Sequence, residues 1–230
     1  GLVVHALAHR MVTGDVPDTP EGITELMAHV DRVWGQLAFR TPWSGPRERD
    51  QIHAALTKLV AWHRDDHRQR EVIATELELA ATVPVPGSEV VELKGRVDRL
   101  ERDAEGNVVV VDLKTGKYFP TVSEVTAHDQ LGFYQHVINN GAVDALVGEQ
   151  AHSGGAELVQ LRTPEGHGAK VQKQGALAPD DDGSVWIEDR LREAVRRLRD
   201  EDFAATPGKH CDYCDFKALC PAKVSGTVLS

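Results

Sequence analysis

The stretch LKGRVDRLERDAEGNVVVVDLKTG, residues 93–116, holds two carboxylates and a lysine at a spacing that a fold can bring together. Asp103, Gly106 and Asn107 mark a turn between two runs rich in β-branched residues, so a hairpin is expected. A turn centred on Glu105 sets Asp98 directly opposite Asp112, and Arg96 opposite Lys114. Side chains opposed in this way lie about 4.5–5.5 Å apart at Cβ, on one face of the sheet. The two-residue period keeps Arg96 with Asp98 and Asp112 with Lys114, and turns Leu93, Val97 and Leu113 to the other layer. Two carboxylates that close repel each other unless something positive sits between them. A divalent, oxygen-loving cation, Mg²⁺ or Mn²⁺, satisfies both and keeps several waters. Lys114 is then placed to touch a scissile phosphate or an attacking water. The plainer reading is an exposed hairpin whose charges pair across the strands, and the spacing alone leaves both open.

A second group of reactive side chains lies near the C-terminus. Cys211, Cys214 and Cys220 follow the pattern C-x2-C-x5-C, with Pro221 directly after. Three cysteines close no disulfide framework, and thiolates this close in a reducing compartment hold metal. An iron–sulfur cubane or a closed zinc site takes four ligands. His210, beside Cys211, would complete a Cys3His zinc site.

The elements that must carry these groups read as α+β, with helices packed around a mixed central sheet. Helices are expected near 2–12, 22–38 and 46–66, where apolar residues such as Leu26, Val30, Val33 and Leu37 recur at helical spacing. Strands are expected over 70–83, 89–100 and 107–114, then a helix near 123–139, strands over 156–162 and 169–175, and a helix near 186–201. In that last helix Ile187, Leu191, Val195 and Leu198 form the expected buried stripe, and Arg192, Arg196 and Arg199 share another face. At 230 residues and 41% hydrophobic content the chain can bury a real core. No apolar run approaches the roughly 20 residues of a membrane-spanning helix, and nothing reads as a secretory signal. The chain opens on Gly1 rather than Met, as expected of a piece of something longer. The net charge of −10 argues only weakly against a nucleic-acid partner, because a metal site gathers carboxylates and its cation inverts the local field.

GRVDRL followed by VVVDLKTG resembles the core of the PD-(D/E)xK nuclease superfamily, in its RecB-like branch. GLVVHALA resembles that branch's G-x-x-x-H helix, whose histidine is a metal ligand, here His5. TELEL resembles the strand before the hairpin, with Glu76 at its acidic position, and DQLGFYQ resembles a Q-x-x-x-Y helix carrying Gln130 and Tyr134. CDYCDFKALCP resembles the cysteine motif of the subset that carries an iron–sulfur cluster, so the resemblance runs from residue 1 to 221.

The resemblance implies one restriction-endonuclease-like domain over 1–230, with a helical region (1–70), a nuclease core (71–201) and a cysteine-bearing tail (202–230). It implies a Mg²⁺- or Mn²⁺-dependent deoxyribonuclease of exonuclease type. His5, Asp98, Asp112 and the Leu113 carbonyl would hold the metal. Asp98, Asp112, Lys114, Gln130 and Tyr134 would form the catalytic set, the last two positioning DNA beside the metal. Cys211, Cys214 and Cys220 would hold a [4Fe–4S] cluster whose fourth ligand comes from upstream of the G-x-x-x-H helix, with zinc as the alternative. Expected partners are DNA, as single-stranded ends or unwound duplex, a helicase motor in the same polypeptide, and a paired subunit. This is the arrangement of AddB and AdnA/AdnB helicase–nuclease subunits, which act in the cytoplasm on double-strand breaks in end resection and recombinational repair. No G-x-x-x-x-G-K-[ST] run occurs here, so any motor lies outside this stretch. Arg96, Arg99 and the Arg192/Arg196/Arg199 face are expected phosphate contacts, with ion pairs to Glu188, Asp189 and Glu193 as the plainer reading of that face. The alternative function is a catalytically silent nuclease fold kept as a DNA-binding module.

Overall fold

The computed structural model describes residues 1–37, 41, 43–66, 70–85, 90–164, 166, 168–181 and 183–222. They form two compact units, Gly1–Ile187 and Glu188–Ser230. The first begins with three helices, α1 (Leu2–Val12), α2 (Ile23–Trp34) and α3 (Ser44–Asp66). Three strands follow, β1 (Glu71–Pro84), β2 (Val90–Arg102) and β3 (Val108–Lys114). After them come α4 (Val122–Thr126), α5 (Asp129–Asn139), α6 (Asp144–Val147), β4 (Ser153–Gln160) and β5 (Lys170–Gln174).

The five strands form one sheet in the order β1-β2-β3-β4-β5. All neighbours are antiparallel except β3 and β4. Parallel pairing needs a long crossover, and the segment carrying α4 to α6 supplies it. β3 reads VVVVDLK and is buried at every position but Lys114, the pattern of a central strand covered on both faces.

On one face, Val4, Leu7 and Met11 of α1, Leu26 and Val30 of α2, and Leu56 and Leu59 of α3 join Val111, Leu113, Val159 and Leu161 in a single core. On the other face α5 contacts β1 through β4 and buries Leu131, Val137 and Ile138. The expected helix over 123–139 is two helices. Thr121 and Glu124 close a capping box at the start of α4, the chain leaves helical geometry at Ala127, and extended His128 caps α5.

Arg99, expected to reach phosphates, is instead 4% exposed. It lies against α3. There its Nε donates to Glu101 at 2.5 Å, its Nη1 meets His63 Nδ1 at 2.7 Å, and it lies 5.0 Å from the centroid of the Trp62 ring. Arg70 joins the same buried network through Glu101 at 3.3 Å and Glu157 at 2.8 Å.

α7 (Trp186–Arg199) begins at the end of the first unit and runs into the second. Its apolar stripe fades along the helix: Ile187 and Leu191 are buried, Val195 is half-buried, and Leu198 is 64% exposed. The burial expected at Leu198 is therefore absent. Arg192 pairs with Asp189, while Arg196 and Arg197 both hold Glu193, as in the plainer reading of that face. A short 3-10 turn (Lys209–Tyr213) carries Cys211. Among the described residues no helix is long and apolar enough to cross a membrane.

Candidate active site

The β2–β3 hairpin has the register expected of a turn centred on Glu105: Arg99 faces Val111, and Arg102 faces Val108. Asp103 Oδ1 accepts the N–H groups of Glu105 and Asn107, at 3.1 and 2.8 Å, and Gly106 takes φ +88. One step beyond the last paired residues, this register puts Asp98 across from Asp112. On the other side of β2, Thr75 faces Arg99 and Leu77 faces Val97, which puts Glu76 across from Asp98. Three acids on three adjacent strands thus stand in one row, Glu76, Asp98, Asp112. Glu76 has φ +51, left-handed backbone that a side-chain-bearing residue adopts only at a cost.

α1 buries Val4, Leu7 and Met11, which leaves His5 on its flank toward the acids. His5 Nδ1 lies 3.0 Å from Asp98 Oδ1 and 3.9 Å from Glu76 Oε1. His5, Glu76 and Asp98 each offer a ligand atom, all within 4.8 Å of one another. The second oxygen of Asp98 accepts the Leu113 N–H at 2.7 Å, which pins its carboxylate where the β2–β3 ladder ends. The hydrogen bond that His5 donates to Asp98 raises the His5 pKa most; burial opposes it, and the charges of Asp98, Glu76 and Asp112 add to the rise.

Asp112 stands at the end of the row, outside that tight trio. It is 5% exposed, because β3 is covered on both faces. Lys114 Nζ pairs with its Oδ2 at 2.7 Å. Burial raises the carboxyl pKa, Lys114 opposes this, and Asp98 adds to it. One imidazole and three carboxylates, that of Asp112 buried, fit a site for a hard divalent cation. The Leu113 side chain is in the core, so only its backbone is available to the site.

A chain of hydrogen bonds braces the lysine. Lys114 Nζ donates to Gln130 Oε1 at 3.3 Å, Gln130 Nε2 donates to Tyr134 Oη at 3.0 Å, and Tyr134 donates to the Arg96 carbonyl at 2.6 Å. Gln130 and Tyr134 share a face of α5 because they are four residues apart. Arg96 Nε completes the surround at 3.1 Å from Glu76. His128 is a further neighbour that no motif marked: burial and Lys114 push its pKa down, while Asp112 pulls the other way. Cys211, Cys214 and Cys220 belong to the second unit and are unpaired with one another. Their thiols do not form a cluster within 4.8 Å among the described residues, and the His210 side chain lies outside those residues.

A family model described as the PD-(D/E)XK nuclease superfamily matches residues 1–221. No curated protein matches the chain. Among 13 solved chains that match is one titled "Crystal structure of SSO0001". It is 19% identical over 77% of this chain and 76% of that one, with a TM-score of 0.44.

Proposed function

The chain belongs to the PD-(D/E)XK nuclease superfamily, and from that premise we propose that it is a metal-dependent deoxyribonuclease acting at the row of acids beside His5. The observation that carries the reading is the row of Glu76, Asp98 and Asp112 on three adjacent strands, with His5 against Asp98 and Lys114 against Asp112. His5, Glu76, Asp98 and Asp112 would hold Mg²⁺ or Mn²⁺, with the Leu113 carbonyl as a further oxygen. A divalent ion bound there supplies Lewis acidity to a phosphoryl oxygen and acidifies its water. Lys114 places an ammonium group where negative charge grows on the phosphate in the transition state. Gln130 and Tyr134 hold that ammonium in position, so its orientation is set before substrate arrives. Asp98 holds His5 by its Nδ1 and is itself held by the Leu113 N–H.

The test is hydrolysis of end-labelled DNA by the purified protein with Mg²⁺, with Mn²⁺, and with chelator. Cleavage in either metal, none with chelator, and loss in Asp112→Asn are expected. Intact DNA in both metals overturns the reading and leaves a nuclease fold that only binds DNA.

The finer reading is a place in a helicase–nuclease that resects broken DNA ends, with Cys211, Cys214 and Cys220 as three of four ligands of a [4Fe–4S] cluster. Its support is the order of the RecB-like motifs and the cysteine spacing. No step of the reaction is assigned to that cluster. Anaerobically purified protein that extends upstream of Gly1 should carry iron and acid-labile sulfide; colourless, zinc-loaded protein overturns the cluster.

A further inference from the structure

We propose that the groove between α3 and the loops following β3 and β4 is the path of one nucleic-acid strand to Lys114. The proposal rests on the nuclease reading and adds to it residues that no motif marked. The groove has a volume of about 1030 Å³ and lies wholly within the first unit. It adjoins the site through the backbone: Leu161, one of its walls, donates its N–H to the Lys114 carbonyl at 2.9 Å. Lys117, also in its lining, is three residues beyond Lys114, so their Cα atoms lie within about 11 Å of each other.

The charge of the lining opposes that of the chain. The protein carries −10 overall, yet the groove gathers Arg47, His53, Lys117 and Arg162, with Asp50 as its one acid among the described lining residues. Lys58 also lines it but is committed to its wall, donating to the Thr163 carbonyl at 2.6 Å and to Thr163 Oγ1 at 2.7 Å. Arg162 reaches Glu48 at 3.4 Å. Arg47 and Lys117 are exposed and make no ion pair among the described residues, so both are available to phosphates. A polyanion near a surface of net negative charge settles where the local potential is positive.

Phe119 makes the choice between one strand and two. Its ring lines the groove part-exposed, with Lys170 Nζ 5.7 Å from its centroid. An aromatic face beside cations is how proteins stack unpaired bases while tracking the backbone. Bases in a duplex are already stacked and offer no such face.

The test measures binding of fluorescein-labelled oligo(dT), oligo(U) and a DNA duplex by anisotropy, in chelator, over a range of salt. Arg47→Glu/Lys117→Glu should bind oligo(dT) at least tenfold more weakly. Its slope of log affinity against log salt should fall by about 1.4, at about 0.7 per lost phosphate contact. Phe119→Leu should lose roughly fivefold or more on single strands, from the worth of one stacked base, and nothing on duplex. Wild-type protein irradiated with 5-iodouracil-labelled oligonucleotide should crosslink within residues 117–119, a readout independent of any variant's folding. The oligo(U) arm tells whether the path takes RNA as well as DNA. Wild-type affinity in the double variant, a crosslink elsewhere, or no binding by wild type overturns the groove. Metal-dependent cleavage is measured alongside. Cutting without dependence on the groove residues removes this proposal alone, and groove-dependent binding without cutting removes the nuclease reading alone.

Discussion

Gly95 and Tyr134 approach so closely that a β-carbon on Gly95 would stand 2.8 Å from Cε1 of the tyrosine ring. The missing side chain on β2 makes the niche in which Tyr134 lies, and from that niche its hydroxyl reaches the Arg96 carbonyl and accepts from Gln130. A glycine in a strand interior weakens the strand, so this one has a packing reason. Gly95→Ala should shift Tyr134, loosen Gln130 and let Lys114 drift from its place. The expected result is a cleavage rate down roughly tenfold or more, in line with what small misplacements cost. Stability should fall by about 1–3 kcal/mol, the usual cost of overpacking. Paired urea melts and single-turnover cleavage check both. Cleavage at the wild-type rate would disconnect the tyrosine brace from the lysine.

Metal binding should be visible without any DNA. A ligand that binds only the folded state at a hundredfold excess over its Kd stabilises by about 2.7 kcal/mol. For a chain of this size that is roughly 5–10 °C in Tm. Mn²⁺ should therefore raise the wild-type Tm, and Asp98→Asn and His5→Ala should each abolish the rise, because both residues sit in the 4.8 Å trio. Glu76→Gln should diminish it. Equal shifts in wild type and Asp98→Asn would place the ion elsewhere.

Acid should weaken the fold through Glu157. Burial alone would raise its carboxyl pKa, but Arg70 at 2.8 Å and Lys173 at 3.1 Å overcome that, and the folded value lies below the ordinary 4.5. A group with a depressed folded pKa contributes stability that is present above its unfolded pKa and lost as pH falls through its folded one. The wild-type protein should therefore lose this contribution below about 4.5. Glu157→Gln should be less stable than wild type at neutral pH, with the gap closing as pH falls beneath that value. Urea midpoints of the two proteins between neutral pH and pH ~3 measure it. A gap constant with pH would assign the residue's contribution to packing rather than charge.

Much of the geometry was written in the chain at short range. The turn residues Asp103, Gly106 and Asn107 fix one hairpin register, and with it the facing of Asp98 and Asp112. The unbroken run of valines in β3 marks a strand covered on both faces, and that same burial put Asp112 out of solvent. What stayed hidden depends on partners far along the sequence. Arg99 looks like any strand arginine until the fold sets Glu101, His63 and Trp62 around it. Gln130 and Tyr134 read as DNA contacts because spacing shows only that they share a helix face. That they reach Lys114 and the Arg96 carbonyl depends on how α5 crosses the sheet. The break at Ala127 needed the capping by Thr121 and His128 to be weighed above a continuous helical pattern. The positive φ of Glu76 has no sequence signal, since such strain is held by surrounding structure.

Two arginines three residues apart on β2 should behave oppositely. Arg96 is largely exposed and meets Glu76 at 3.1 Å, whereas Arg99 is buried among Glu101, His63 and Trp62. Removing one partner of a buried ion pair leaves the other charge desolvated, at a cost of about 3–5 kcal/mol. Arg99→Ala should therefore lower stability by that amount, with no direct effect on DNA contact. Arg99→Met/Glu101→Gln, which removes both charges and keeps the volume, should recover most of it. Arg70 would then keep Glu157 but lose its charged partner at Glu101, so the recovery should stop short of wild type. Arg96→Ala should leave stability within about 0.5 kcal/mol, as surface substitutions do. It frees Glu76 from its cation, so Mn²⁺ should bind the variant at least as tightly as wild type. Urea denaturation of the three variants, with Mn²⁺ titrations of the last, decides the matter. An Arg99→Ala protein as stable as wild type would mean that the Arg99–Glu101 pair adds nothing to the fold.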